Sequence, residues 1–274
     1  MEWAREDPGY IPSDIDTTTP NIARIYDYWL GGKDHFEADR VAAEQVLALM
    51  PGQRRSAREN RRFLRRAVRF LAAEAGIDQF LDIGVGLPTQ GAVHEVAHEI
   101  NPDARVAYVD YDPVVVAHGN ALLAAPDRSI VVQEDIRRPR ELLANPVIRA
   151  HLDFSRPVAL ILLAVLHFVP DEDDPAAITA CLRDGLAPGS YLVLTHICEE
   201  LLPDKAAARR AMKVYEQASE RIQPRGTAQI RGFFGDFELA EPGLLPKHAW
   251  RPVTGVAVSD PADISLGGVA RKPG

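Results

Sequence analysis

Carboxylates that end short apolar runs are the first candidates for chemistry in this sequence. In "FLDIGVGLPTQG", Asp82 stands two residues before Gly84, and Gly86 follows after one residue. Two other runs, "RVAYVD" and "SIVVQED", end at Asp110 and Asp135. If each run is a strand of one parallel sheet, the three carboxylates meet at the sheet edge where open α/β proteins bind ligands. The sequence therefore predicts a ligand site at that edge.

The glycine turn departs from a dinucleotide fingerprint, which requires a third glycine where this chain has Thr89. Pro88 also removes one N–H that could face a phosphate. Asp82 would repel a pyrophosphate, but it suits a cationic group. A ligand with an ammonium and a sulfonium and no phosphate, such as S-adenosylmethionine, fits these charges better. An NAD(P)-dependent oxidoreductase is the alternative interpretation.

Each strand end suggests one contact with such a cofactor. The Asp110 carboxylate can accept hydrogen bonds from both ribose hydroxyls, since an ionised acid offers only acceptors. Asp135 could accept from an adenine amino group while the Ile136 N–H donates to the ring. A fourth apolar run, "VALILLA", is followed by Leu166 and His167, which we expect under the reactive end of the cofactor.

The elements that must position these residues alternate regularly from residue 80 onward, as five strand–helix units. That alternation predicts an α/β fold with a doubly wound parallel sheet, followed by two C-terminal strands in "DFELAEPGLL" and "SLGGVARK". Before the sheet we predict helices from Thr19–Pro20 to Gly31, from 36 to 50 and over 57–75, and after the fifth strand a long helix over 204–222. The predicted layout is a loose arm (1–18), a helical cover (19–76) and a core (77–274) within one compact domain.

The motif series "LDIGVG", "VDYDP", "EDI" and "LLAVLHFVPD" resembles class I S-adenosylmethionine-dependent methyltransferases. The N-terminal "TPNIARIYDYWLGGKDHFEADR" is similar to an actinobacterial family, once a domain of unknown function, known only as S-adenosyl methyltransferase. The resemblance implies a Rossmann-like, mostly parallel seven-stranded sheet with an antiparallel C-terminal hairpin. It also implies the following cofactor contacts: Asp82, Gly84 and Gly86 at the methionine end, Asp110 with Tyr111 at the ribose, and Asp135 with Ile136 at the adenine. It does not name the methyl acceptor.

The segment "YDYWLGGKDHFEADR" is the stretch before the sheet that is richest in aromatic and polar groups. Our hypothesis is that it forms a lid over the cofactor and contributes Tyr26 and Asp34 to the site, with Asn60 and Arg61 reaching in from the third helix. For Trp29 the alternative is equally strong, because a buried helix stripe would place it in the same way.

The reactive side offers one candidate catalytic residue, His167, because imidazole titrates near neutral pH and can act as a general base. The alternative is that His167 packs beneath the methionine arm, since methyl transfer from a sulfonium does not need a strong base. We expect the loop holding His248, Trp250 and Arg251 to shape the acceptor side.

Composition limits the partners. The formal net charge of −8 argues against nucleic acid and anionic membranes, and we interpret the arginine-rich run 54–69 as a solvated helix face paired with acids. Two cysteines without a CxxC pair, no metal-ligand cluster and no signal peptide fit a cytoplasmic protein. We predict a methyltransferase acting on a small molecule. The second alternative is a non-catalytic S-adenosylmethionine-binding regulator, and the oligomeric state stays open.

Overall fold

Strands and helices alternate along most of the chain in the computed structural model, which describes residues 16–88, 91–125, 127–252 and 263–274. Its strands are β1 (Gln79–Ile83), β2 (Arg105–Asp110), β3 (Ser129–Gln133), β4 (Ala159–Leu163), β5 (Tyr191–Ile197), β6 (Glu238–Leu239), β7 (Leu245–Pro246) and β8 (Ser265–Arg271). Its α-helices are α1 (Ile22–Leu30), α2 (Glu37–Leu49), α3 (Gln53–Ala73), α4 (Val93–His98), α5 (Pro113–Leu122), α6 (Pro139–Ala144), α7 (Pro146–His151), α8 (Pro175–Asp184), α9 (Lys205–Tyr215) and α10 (Thr227–Gly232). The predicted arm, apart from its last three residues, lies outside the described residues, as does Thr89.

The sheet has the order β3-β2-β1-β4-β5-β8-β6, with β1 to β5 parallel and β8 antiparallel to β5. This order confirms the predicted doubly wound, mostly parallel sheet. The register aligns the strand ends, because Ile83 lies opposite Val109 and Asp110 lies opposite Gln133. The carboxyl ends of β1, β2 and β3 therefore meet at one edge.

Alternating side chains of the strands build a separate core on each face of the sheet. In β1, which is buried along its whole length, Leu81 and Ile83 join one cluster and Phe80 joins the other. This follows from the period of two in a strand, which sends successive side chains to opposite faces. Both faces are covered by helices, so the strands read as nearly continuous apolar runs.

The C-terminal part of the sheet is divided more finely than expected. The segment predicted as one strand, "DFELAEPGLL", forms β6 and β7, which both pair antiparallel with β8 on the edge away from β5. The sheet therefore has eight strands instead of seven among the described residues. The antiparallel C-terminal arrangement that we predicted is confirmed.

Helix boundaries differ where distant segments compete for backbone groups. Asn21, and not Thr19, caps α1 by accepting from the N–H groups of Ala23 and Arg24. The Pro20 carbonyl instead accepts from the N–H of Ser219 at 2.9 Å. The helix predicted over 204–222 ends at Tyr215, and Ser219 lies in the segment that follows. Gly31 ends α1 as predicted, with a φ of 89°.

The cover over the strand ends has an apolar cluster of its own, drawn from α1, α2, α3 and α9. We call α1, α2 and α9 the cover, and α3 lies beside it and contributes Ala57 to the same cluster. The buried members of the cluster are Ile25, Trp29, Ala42, Ala43, Val46, Ala57, Ala211 and Tyr215. Helix α9, from the distal part of the chain, therefore packs with the N-terminal helices in this cluster.

The arginine-rich face of α3 is paired with acids, as the sequence indicated. Arg65 and Arg69 both contact Glu99, and Arg66 contacts Glu59. No helix among the described residues is long and apolar enough to cross a membrane.

Candidate active site

One large cavity lies between the carboxyl ends of the strands and the cover. Its walls include the turn after β1, the ends of β2 to β5, the starts of α1 and α3, and residues of the C-terminal segment. The predicted residues that line it are Tyr26, Asn60, Arg61, Asp82, Gly84, Gly86, Asp110, Tyr111, Asp135, Ile136 and His167. Two predicted contacts, Asp34 and Leu166, are absent from its described walls.

The glycine turn brings bare backbone to the cavity. Gly84 has a φ of 76° and Gly86 a φ of 65°, a region that glycine adopts without strain. A β-carbon on Gly84 would lie 2.3 Å from Cγ2 of Val165, whereas one on Gly86 would meet no atom within 4 Å. Gly84 therefore permits close packing on the loop after β4, and Gly86 leaves open space beside the cavity.

Asp82 is a buried carboxyl, 7% exposed, at the end of β1. Burial raises its pKa to about 7, the positive charge of Arg61 lowers it, and Asp110 raises it further. No hydrogen bond to its carboxylate occurs among the described residues, and Nε of Arg61 is likewise buried without a partner. A ligand that carries both an ammonium and a carboxylate would satisfy both groups, because buried charges need paired partners.

Asp110 organises the second strand end. Its carboxylate accepts from the N–H of Gly86 at 3.0 Å and from the N–H of Asp112 at 3.1 Å. Burial raises its pKa to about 6, against the effect of these bonds. Asp112 caps α5 by accepting from the N–H of Val114, as its place before Pro113 indicated. Asp110 thus holds the glycine turn while part of its acceptor capacity remains for a ligand.

The third strand end carries an ion pair that the sequence did not suggest. Arg137 donates to both oxygens of Asp135, and these bonds lower the pKa of Asp135 although burial acts to raise it. Arg137 also lies over the Tyr111 ring and 3.9 Å from Glu220. Asp135 still lines the cavity, so an adenine amino group would share its carboxylate with Arg137.

The cover reaches the sheet through a chain of hydrogen bonds. Nδ2 of Asn60 donates to the Tyr26 hydroxyl, and Oδ1 of Asn60 accepts from the Thr195 hydroxyl at 2.8 Å. The Thr195 hydroxyl in turn accepts from the N–H of Ala164 at the end of β4. These hydrogen bonds fix Tyr26 and Asn60 relative to the strand ends, and their contact with a ligand stays a prediction.

Asp34 is directed away from the cavity walls. Its N–H donates to the Asp27 carboxylate at 3.0 Å, and its own carboxylate lies 4.0 Å from Nδ1 of His118. Asp27, which the sequence did not single out, lines the cavity and is 2% exposed. Trp29 is consistent with both alternatives, a buried helix residue and a cavity residue, since it belongs to the cluster of the cover and also lines the cavity.

His167 follows β4 in a short 3-10 turn, with a buried Nδ1 that has no hydrogen-bond partner. Burial lowers its pKa well below the usual value, and the nearby His196, Lys247 and Arg225 lower it further. His167 is therefore neutral near pH 7. Leu166 packs in the core below it.

Arg225 fixes the loop that carries His167, which we call the β4 loop (residues 164–171). The Arg225 guanidinium is buried and donates to the carbonyls of Leu166 and Val169 at 2.7 Å each. It also donates to the Asp171 carboxylate and to Nε2 of His196. No local pattern could have predicted the role of Arg225, because its partners lie 29 to 59 positions away in the chain.

The C-terminal segment contributes Lys247 to the cavity, and not the three residues that we predicted. Trp250 is fully buried and packs on Phe63, while Arg251 lies over the Phe70 ring outside the cavity. Nζ of Lys247 lies 3.1 Å from Oδ1 of Asp263. The prediction was wrong because the Trp250 ring packs in the core beside α3, while His248 bonds Asp263 and Arg251 bonds Glu74.

Comparisons with known proteins agree on one family. A family model described as S-adenosyl methyltransferase matches residues 9–273. The crystal structure of a candidate methyltransferase from Thermobifida fusca YX has 44% identity and a TM-score of 0.90, covering 97% of this chain and 100% of that chain. A DUF574 family protein from Streptomyces avermitilis MA-4680 has 40% identity and a TM-score of 0.88, covering 94% of this chain and 99% of that one.

More distant structures share the fold. A SAM-dependent methyltransferase from Anabaena variabilis is 13% identical with a TM-score of 0.51, over 95% of this chain and 98% of that chain. No curated protein sequence matches this chain.

Proposed function

The chain belongs to the S-adenosyl methyltransferase family, whose cofactor is S-adenosylmethionine, and from this premise we propose that it methylates a small molecule. The observation that supports the proposal best is the arrangement of groups at the cavity wall. A buried carboxyl at Asp82, an unpartnered arginine nitrogen at Arg61 and an open glycine turn meet there. These groups match the charges of an amino acid end of a ligand.

In the proposed complex the strand ends hold successive parts of the cofactor. Asp82 pairs with the ammonium and Arg61 with the carboxylate of the methionine end, while Gly84 and Gly86 allow the backbone to approach. Asp110 accepts from the ribose hydroxyls beside Tyr111. Further along the sheet edge, Asp135 and the N–H of Ile136 receive the adenine.

The bound cofactor would supply an activated methyl group on a positively charged sulfur. The task of the protein is then to align the acceptor and to exclude water, since positioning supplies much of the rate in such displacements. The cover is placed for this task, because Tyr26 and Trp29 line the cavity from above. His167 stays our candidate for the group that handles the acceptor proton.

A small acceptor is favoured by the enclosure of the cavity. Residues of α1 and of the segment after α9 line it opposite the strand ends, so an acceptor lies beneath the cover. Arg65, Arg66 and Arg69 of α3 are paired with acids, which reduces the free positive charge that a nucleic-acid face would need.

Calorimetric titration tests the proposal. S-adenosylmethionine and S-adenosylhomocysteine should bind, and NAD should not. Asp110→Asn should weaken both sulfur ligands by about tenfold or more, because charged hydrogen bonds contribute about 1.5–3 kcal/mol. Asp103→Asn, on an exposed turn, is the matched control. Folded wild-type protein that binds neither sulfur ligand would refute the proposal, and binding without methyl transfer to any acceptor would favour the regulatory alternative.

A further inference from the structure

Charged residues on the cavity wall are unevenly distributed along the sheet. They are concentrated on the side of β1, β2 and β3 and are sparse on the side of β4, β5 and β8. Seven carboxylates line the cavity among the described residues: Asp27, Asp82, Asp110, Asp112, Glu134, Asp135 and Glu220. Five of them lie in or directly after β1, β2 and β3, the strands to which we assign the cofactor. Glu220 lies 3.9 Å from Arg137, which is on the same side. Asp27 accepts from the N–H of Asp34, whose carboxylate lies near His118 of α5.

The other side, formed by β4, β5 and β8, presents an almost uncharged wall. Its described lining residues are Leu163, Ala164, Val165, His167, Phe168, Val169, Ile197, Lys247, Ile264 and Ser265. The cover adds Ile25, Trp29 and Tyr215, and the segment after α9 adds Ile222. None of these residues is a carboxylate. Asp27 of α1 also lines the cavity, but its carboxylate accepts from the N–H of Asp34, so a cationic acceptor would find no free counter-ion on this wall.

Lys247 does not make this side a cation site or an anion site. Its ammonium lies 3.1 Å from Asp263, and it donates to the hydroxyl and the carbonyl of Ser56. The Lys247 and Asp263 side chains are 3% and 0% exposed. Three partners use the three donors of the ammonium, and the pair is neutral as a unit.

On this side of the cavity, the titratable group with free hydrogen-bonding capacity is therefore the imidazole of His167. Its Nδ1 is buried without a partner, its Nε2 has no hydrogen-bond partner among the described residues, and its ring lies at centroid distances of 4.5 Å from Phe168 and 5.4 Å from His196. His196 is already fixed, because Arg225 donates to its Nε2 and its Nδ1 bonds the carbonyl of Ile197. A neutral imidazole has one nitrogen that accepts a hydrogen bond.

We propose that the methyl acceptor is an uncharged aromatic hydroxyl compound, whose apolar ring packs between the cover and the β4 loop and whose hydroxyl meets His167. This inference rests on the proposed function. The aromatic class is supported by Trp29, Phe168 and Tyr215, since aromatic side chains stack on or meet the edges of flat rings. A protonated amine is disfavoured because the wall lacks a carboxylate to pair with it.

The transfer balances with the groups present. The hydroxyl oxygen forms a bond to the methyl carbon, the carbon–sulfur bond breaks with its electron pair remaining on sulfur, and the hydroxyl proton passes to His167. The positive charge moves from sulfur to the imidazole, which then releases its proton to water. The lowered pKa of His167 makes it a weak base, and this suits an acidic phenol better than an alkanol.

Binding of matched probes to protein saturated with S-adenosylhomocysteine tests the inference without relying on activity. The probes are 2-naphthol against 2-(aminomethyl)naphthalene, and phenol against benzylamine as a smaller pair. In the pair that binds more tightly, calorimetry should show at least tenfold higher affinity for the hydroxyl probe than for the amine probe. When S-adenosylmethionine replaces S-adenosylhomocysteine, mass spectrometry should detect the methyl ether of the hydroxyl probe.

Variants at two buried histidines assign the effect. His167→Phe should weaken naphthol about fivefold, the cost of one neutral hydrogen bond, and His167→Gln should recover part of it. His151→Phe is the matched control, because His151 also has a buried unpartnered nitrogen and lies outside this cavity. Retained S-adenosylhomocysteine binding in each variant would show that its cofactor site is intact.

Two results would overturn the acceptor assignment while leaving the cofactor site intact. One is that the amine probes bind as tightly as the hydroxyl probes, or that no probe binds to the loaded protein. The other is that His167→Phe and His151→Phe affect naphthol binding equally. Loss of S-adenosylhomocysteine binding in the wild type would instead refute the proposed function.

Discussion

At the scale of single residues, Asp82 illustrates how a ligand site reduces the stability of the empty protein. Its carboxyl lies at the end of a fully buried strand with a raised pKa of about 7. The folded protein therefore holds a proton on Asp82 over a pH range in which the unfolded chain has lost it. Stability then falls as pH rises, from the usual aspartate pKa to about 7, and the cost is constant above that.

We expect Asp82→Asn to raise the free energy of unfolding of the ligand-free protein at pH 8 by up to roughly 4 kcal/mol. A pKa shift of about three units corresponds to a free energy of that size. The same change should abolish detectable S-adenosylhomocysteine binding. Urea denaturation at pH 4 and pH 8, with calorimetry, measures both effects. The gain should vanish near pH 4, and Asp153→Asn, in an exposed turn, should show no gain at either pH. An equal gain at both pH values would contradict this account.

The same carboxyl predicts that cofactor affinity depends on pH. The ammonium of the ligand needs the ionised form of Asp82, which is the minor form below about pH 7. The affinity for S-adenosylhomocysteine should therefore rise between pH 5.5 and 7.5 and level off above, by up to tenfold per pH unit. Titrations in buffers with different ionisation enthalpies should show proton release on binding. A flat profile would mean that Asp82 does not pair with the ammonium.

At the scale of elements, the β4 loop depends on one guanidinium. Arg225 connects the carbonyls of Leu166 and Val169 to Asp171 and His196, so its removal would leave buried acceptors unpaired. The loop supplies the wall on which we place the acceptor.

Arg225→Met should lower the free energy of unfolding by about 3–5 kcal/mol, the cost of breaking a buried charged network. Arg225→Lys should recover only a fraction, because an ammonium cannot reproduce the planar fork of donors. Arg156→Met removes an exposed pair with Asp78 and should cost below about 1 kcal/mol. Chemical denaturation of the three variants provides the measurement, and equal losses at Arg225 and Arg156 would refute the assigned role.

What could be predicted from the sequence was local, as two elements show. The run ending at Asp82 is apolar, bounded by a glycine turn and as long as a strand, so β1 and its carboxylate could be placed from neighbours alone. The end of α9 could not be predicted in this way, because the hydrogen bond between Ser219 and Pro20 joins positions about 200 residues apart. Arg225 and Lys247 escaped prediction for the same reason, since their partners are distant in the chain.

At the scale of the whole molecule, the cover is tied to the core at a few polar points. Asn21 is one of them, because its Oδ1 caps α1 and its Nδ2 donates to the Asp112 carboxylate at 2.8 Å. Asp112 lies two residues beyond Asp110, on the side assigned to the ribose. The position of α1 is thus linked to the cofactor side of the cavity.

Asn21→Ala should therefore affect both stability and ligand binding. We expect a loss of about 1 kcal/mol in stability from the missing cap and a fall of several-fold in S-adenosylhomocysteine affinity. Asp204→Ala removes the cap of α9, where Asp204 accepts from the N–H groups of Ala206 and Ala207, and it should cost similar stability with affinity unchanged within about twofold. Thermal denaturation and calorimetry on both variants decide the matter. Equal affinities for the two variants would show that the tie to Asp112 is not used.

The composite cluster of the cover has a consequence for synthesis on the ribosome. Ile25, Trp29 and Val46 emerge early, but Ala211 and Tyr215 complete their cluster much later. At roughly 5–20 residues per second, the early helices would wait on the order of ten seconds or more with an apolar face uncovered. Chaperones that bind nascent chains should thus engage the first helices until α9 has left the exit tunnel, and chains released before that point should aggregate.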